Sequence, residues 1–229
     1  MEELLKIPYL TVIFRNELNH REVPLFRGAV LSKVPPECIL FHNHIDNGFR
    51  YSYPLIQYKV IKGKAAIVCI GEGTEEIASL FRSQDFQFKI GERDETFEVD
   101  SITANLCILQ VWDDRFKYKI SGYLPLNSAN YAKFNELDGM IEKVQMLEGL
   151  LTANLLSMLK GLGKHVEKNI ECRITNLFAS RTYLYKGVKM QGFDLDFTSN
   201  VLIPSYFSLG KGASLGFGVV KQVKLTNNK

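Results

Sequence analysis

Apolar and polar positions alternate strongly from the first residues. Tyr9 to Arg15 (YLTVIFR) is β-branched and aromatic and predicts a strand, followed by a polar bend and a short helix over Leu25 to Leu31 that the pair Pro35-Pro36 stops. Tyr51 to Lys62 predicts a long strand, and Lys62-Gly63-Lys64 a tight turn into Ala65 to Ile70, which makes a hairpin. Gly71-Glu72-Gly73-Thr74 opens a second helix, with Thr74 as N-cap and Ile77, Leu80 and Phe81 at i, i+3, i+4 spacing; Phe86 to Val99 returns to strand. The order β-α-β-β-α-β is that of a ferredoxin-like unit, in which two helices cover one face of a four-stranded antiparallel sheet.

The second half repeats the theme. Leu106 to Trp112 and Phe116 to Leu124 read as strands. A long helix follows, its apolar stripe running through Met140, Val144, Leu147, Leu151, Leu155, Met158 and Leu162, and Lys160-Gly161-Leu162-Gly163 marks its end. Ile170 to Phe178, Thr182 to Phe197 and Phe217 to Leu225 are further strands, and the second helix shrinks to a segment around Pro204 to Phe207. The expected class is therefore α+β, with tandem ferredoxin-like (RRM-like) domains over 1–104 and 105–229, each an antiparallel sheet covered by helices.

Composition narrows the function less than the fold. The 229 residues are 46% hydrophobic and 23% charged, as in an ordinary folded protein. The net charge of +3, from 28 basic and 25 acidic residues, announces no polyanion partner by itself. Cys38, Cys69, Cys107 and Cys172 form no CxxC, and three of them lie in apolar runs, so reduced thiols and a cytoplasmic location are expected. No membrane span or export signal is visible.

Two stretches carry chemistry. In F41-HNHIDNGFRYSYPLIQYK-K59, two of only four histidines sit one residue apart. On an extended segment, His42 and His44 would share a face and converge on one small object. A metal needs three or four ligands, and Asp46 and Cys38 stand at no recognised spacing, so no metal and no cofactor is expected. Two imidazoles can instead divide the work of a base and an acid near neutral pH. With Arg50 supplying charge and Tyr51 a phenolic hydrogen bond, these are the groups that RNA cleavage requires; local hydrogen bonding or plain solvation of the histidines is the competing account. The second stretch, L209-GKGASLGFG-G218, places Gly210, Gly212, Gly216 and Gly218 around Lys211 and Ser214. Its glycines allow close backbone approach to a phosphate, although it is not a GxxxxGK[ST] loop and can equally be a bulged connection before the last strand. Arg27, beside Gly28, divides between RNA contact and ion pairing within the fold.

The combination of LFRGAV (25–30), HNH, YSYPLIQYKVIKGKAAIVCIGEG (51–73), NLLSMLKGLG (154–163), YKGVKMQGF (185–193) and IPSYFSLGKGASLGFG (203–218) resembles the CRISPR-associated endoribonucleases that cut repeat RNA, the b-type branch of the sixth numbered CRISPR-associated family. The match runs in order through nearly the whole chain. It implies metal-independent cleavage of precursor RNA within each repeat by 2′-OH attack, leaving a 2′,3′-cyclic phosphate and a 5′-OH. It also implies His42 and His44 as the catalytic pair with Tyr51, and RNA contact through the glycine-rich loop. Leu215 departs from the pattern, in which a basic residue precedes GFG. The partner so implied is CRISPR repeat RNA, with room for other CRISPR-associated effector subunits and for a homodimer. A module of another class, one that binds and holds processed guide RNA without cutting it, fits the same residues.

Overall fold

The computed structural model describes residues 5–42, 44–45, 48–49 and 53–223, with side chains at all of these except 5, 44–45 and 48–49. The chain divides into two compact units. One comprises Lys6–Cys107 together with Ser214–Gly216; the other comprises Leu5, Ile108–Ala213 and the described residues from Phe217 onward.

The N-terminal unit runs β1 (Leu5–Glu17), α1 (Val23–Leu31), α2 (Ile39–His42), β2 (His44–Ile45), β3 (Gly48–Phe49), β4 (Ile56–Ile61), β5 (Lys64–Ile70), α3 (Gly73–Glu76), α4 (Ala78–Ser83), β6 (Gln87–Ile90), β7 (Arg93–Thr96) and β8 (Val99–Leu109). The main sheet has the order β4-β5-β1-β8, the ferredoxin-like arrangement. β4 and β5 join through Lys62 and Gly63, both at positive φ (51° and 81°), the backbone of a type I′ hairpin turn. Burial of Val23, Phe26, Ala29 and Val30 seats α1 on the sheet. There Phe26 stacks on Phe97 at 5.4 Å between centroids and meets Phe14, Tyr58 and Phe88 edge-on, so one aromatic cluster fills this core.

Several sequence expectations shift. The strand after residue 51 begins at Ile56 among the described residues. The expected helix after Gly73 is broken into α3 and α4 at Ile77, and Thr74 lies inside α3, its hydroxyl donating to the Gly71 carbonyl at 2.7 Å instead of capping. Phe86 to Val99 is strand in part but not the fourth strand of the main sheet: β6 and β7 form a separate two-stranded hairpin, and β8, which begins at Val99, supplies the fourth strand.

The C-terminal unit runs β9 (Val111–Tyr123), α5 (Ser128–Glu136), α6 (Met140–Gly161), β10 (Cys172–Leu177), β11 (Arg181–Tyr185), β12 (Val188–Val201) and β13 (Val219–Gln222). Its sheet order, β10-β12-β9-β13, repeats that of the first unit, with β11 added on β12 as a hairpin. α6 buries Leu147, Leu151, Leu155, Met158 and Leu159, whereas Met140 at its start is 66% exposed. α5 is an addition to the sequence expectation; Asn127 caps it by accepting from the Asn130 N–H at 2.8 Å. The segment around Pro204 to Phe207 is a turn, with Tyr206 at φ 74°, and not a helix.

Candidate active site

α2 is a single turn that carries His42 at its end. Leu40 and Phe41 are buried at 7% and 1% exposure and anchor it, while His42 is half-buried. Two tertiary contacts hold this turn. At its start the Leu40 N–H donates to Glu76 Oε1 at 2.9 Å, and at its end Arg27 Nη2 donates to the Phe41 and His42 carbonyls at 3.3 and 3.4 Å. The His42 ring itself is engaged, with Nε2 3.2 Å from the Pro35 carbonyl oxygen. A carbonyl can only accept, so Nε2 carries a proton in this contact, and in a neutral imidazole Nδ1 then holds the lone pair.

The local geometry differs from the extended segment on which the convergence of the two histidines was argued. His42 closes a helix, while the His44 backbone stands in the short strand β2, opposite Phe49 of β3. Their spacing therefore does not place them on one strand face. Arg50, Tyr51 and the His44 side chain lie outside the described residues. Among the described residues no three His, Cys, Asp or Glu side chains come together as a metal would require.

Lys59 was not singled out by sequence reasoning. It sits on β4 with no exposed surface, its Nζ 2.8 Å from Gln57 Oε1, while Gln57 Nε2 donates to the Pro54 carbonyl at 2.9 Å. Burial pushes the Lys59 ammonium far below the ordinary lysine range. Its only sequence signal was a lysine within the strand expected over Tyr51 to Lys62.

In the glycine-rich loop, Gly210, Gly212, Gly216 and Gly218 all have positive φ, from 61° to 81°. What surrounds Gly210, Gly212 and Gly218 in the C-terminal unit is protein. A Cβ on Gly212 would come within 2.8 Å of the Phe217 ring and 2.9 Å of Tyr185, and one on Gly218 would collide with the Leu209 carbonyl oxygen. Phe217 is held edge-on by Tyr183 and Tyr185 of β11, each at 5.8 Å. Several of the loop's N–H groups are already spent: Lys211 donates to Leu124, Phe217 to Gly212, and Gly218 to Gly122. The Lys211 side chain is exposed, and Ser214 is half-buried.

Comparison with known proteins covers both units. Residues 5–106 match the family described as the Cas6b N-terminal domain, and residues 110–223 match the Cas6b C-terminal domain. A Cas6b crystal structure superposes with a TM-score of 0.85 at 28% identity, covering 96% of this chain and 100% of that one. A second solved structure, of a CRISPR RNA processing endoribonuclease Cas6b, gives 0.74 at 26% identity with the same coverage. An uncharacterised protein of Methanocaldococcus jannaschii is 37% identical over 115 residues, which are 50% of this chain and 77% of the relative.

Proposed function

The chain belongs to the Cas6b family of CRISPR RNA processing endoribonucleases, and from that premise we propose that it cuts precursor CRISPR RNA within each repeat by a metal-independent transesterification. One group removes the proton of the 2′-OH, the resulting oxyanion attacks the adjacent phosphorus, and the 5′ oxygen leaves with a proton from a second group. The products are a 2′,3′-cyclic phosphate and a 5′-OH. His42 and His44 are the pair we assign to these transfers, with Tyr51 and Arg50 steadying the phosphate.

The observation that carries this reading is the fixed ring of His42. Donation from Nε2 to Pro35 leaves Nδ1 as the accepting nitrogen, which is the form a general base needs. RNA binding is assigned to the glycine-rich loop through Lys211 and Ser214, with Gly210, Gly212, Gly216 and Gly218 shaping its backbone. The proposed arrangement of sites is 1–104 for proton transfer and 105–229 for the loop.

The test is incubation with the repeat RNA encoded beside the gene, in EDTA, with a matched substrate carrying a 2′-deoxy nucleotide 5′ of the scissile phosphate. Cleavage persists in EDTA and vanishes on the deoxy substrate; full activity on the latter would end the mechanism. His42→Ala and His44→Ala each slow single-turnover cleavage about a hundredfold or more, the range of a general acid or base, with RNA affinity little changed.

A further inference from the structure

We propose that Arg27 is a positioning residue for His42, and that Arg27 and Glu76 together pin the two ends of the helical turn on which His42 stands. This rests on the reading of His42 as a proton-transfer group. A single turn does not hold itself, because ordering its backbone costs more than its few internal hydrogen bonds return. In α2 the Phe41 and His42 N–H groups both donate to one carbonyl, that of Cys38, at 3.1 and 3.3 Å. The ends are satisfied from distant sequence: Glu76 of α3 accepts from the Leu40 N–H, and Arg27 of α1 donates to the last two carbonyls. A carboxylate at the start and a guanidinium at the end also match the partial charges that an α-turn exposes there.

The Arg27 side chain is built into the unit. It is half-buried, its Nε is enclosed with no hydrogen-bond partner among the described residues, and its Nη2 is shared between two carbonyls. Burial pushes the Tyr58 phenol up and the Arg27 guanidinium pulls it partly back, so the charge is felt inside the core beside β4. An arginine placed to meet RNA would keep its donors in water. This one directs one contact at the carbonyl of His42, the residue it is proposed to position, and one at the carbonyl of Phe41 just before it, 15 and 14 residues along the chain. The His42 ring, caught on Pro35, is then fixed at both its backbone and its Nε2.

The experiment compares Arg27→Met, Arg27→Lys, Glu76→Ala, His42→Ala and the Arg27→Met/His42→Ala double variant in the intact protein. It measures single-turnover cleavage of repeat RNA, RNA affinity, and the His42 ring resonance by NMR, identified through its loss in His42→Ala. Arg27→Met is expected to keep RNA affinity, to shift or broaden the His42 resonance in the free protein, and to slow cleavage roughly ten- to a hundredfold, the cost of a misplaced group. Arg27→Lys recovers part of the rate, since an ammonium reaches one carbonyl. The double variant is no slower than His42→Ala alone, because an effect transmitted through the imidazole disappears with it. Multiplied losses in the double variant, or a loss of affinity that matches the loss of rate in Arg27→Met, would overturn the proposal in favour of direct contact with RNA. An unmoved His42 resonance would overturn it as well. Should Arg27→Met fail to fold, Glu76→Ala carries the same test from the other end of the turn. If His42→Ala cuts at the wild-type rate while Arg27→Met still moves the His42 resonance, the catalytic reading of His42 falls and the pinning of α2 stands.

Discussion

Lys59 is a residue whose chemistry works against its surroundings. An amine with no exposed surface is driven toward its neutral form, so the folded-state pKa lies well below the ordinary 10.5. Between the two values the unfolded chain binds a proton that the folded chain does not, and stability therefore rises with pH through that window. Replacing the amine by a chain of similar length removes this opposition. Lys59→Met also leaves the buried Gln57 Oε1 without this donor, so the expected outcome lies in the pH dependence: the stability of the variant relative to the wild type should fall as pH climbs toward 10.5. Urea midpoints from pH 6 to 10 check it, and a stability difference independent of pH would mean that Lys59 stays charged in the fold. The loop glycines present the opposite case, in which a missing side chain is what the fold needs. Gly218 has φ 61° and faces the Leu209 carbonyl, so Gly218→Ala should destabilise by about 1–3 kcal/mol before any RNA is present, as thermal unfolding would record. Sequence could mark these glycines as special but could not say whether their empty space admits a ligand or the protein itself. At Gly212 and Gly218 it is filled by Phe217, Tyr185 and Leu209, so loss of RNA binding in a glycine variant would not by itself demonstrate RNA contact.

At the scale of elements, β9 and β13 set two like charges face to face. Lys119 is directly opposite Lys221, both exposed, with Asp196 of β12 on the other side of Lys119. Like charges directly opposite on one sheet face are unfavourable, so Lys221→Glu should stabilise the protein by about 0.2–1 kcal/mol, less at high salt; no gain at low salt would show that Asp196 already balances the pair. Elements with a strong period were legible in advance. The α6 stripe from Leu147 to Met158 is one, and the Lys62-Gly63 turn another, because each follows from side-chain spacing or a φ requirement within a few residues. Elements fixed by distant partners were not. α2 depends on Glu76 and Arg27, and its helical end at His42 undid the extended geometry from which the two histidines were argued to converge. The break between α3 and α4 and the separation of β6 and β7 from the main sheet are likewise invisible in an apolar pattern that suits either outcome.

For the whole molecule, a net charge of +3 gives little general attraction to RNA, and on the described surface many arginines are already committed to carboxylates: Arg15 to Glu98, Arg93 to Glu22 and Glu95, Arg115 to Glu171, Arg173 to Glu148. Affinity must then come from particular contacts, and binding and chemistry should separate between the loop and the histidine-bearing turn. Both stretches were visible in the sequence as clusters of suitable groups. On the proposed reading of the loop, Lys211→Ala removes one phosphate contact. It should weaken RNA binding, lower the magnitude of the salt slope by up to about 0.7, the single-strand value per phosphate, and leave the single-turnover rate at saturating RNA unchanged. His42→Ala should do the reverse, with a rate lower at saturation and both affinity and slope intact. Binding isotherms at several salt concentrations, read beside single-turnover rates on the same preparations, test both halves at once. If Lys211→Ala lowers the saturated rate as much as the affinity, the loop takes part in aligning the scissile phosphate, and the separation of binding from chemistry is abandoned.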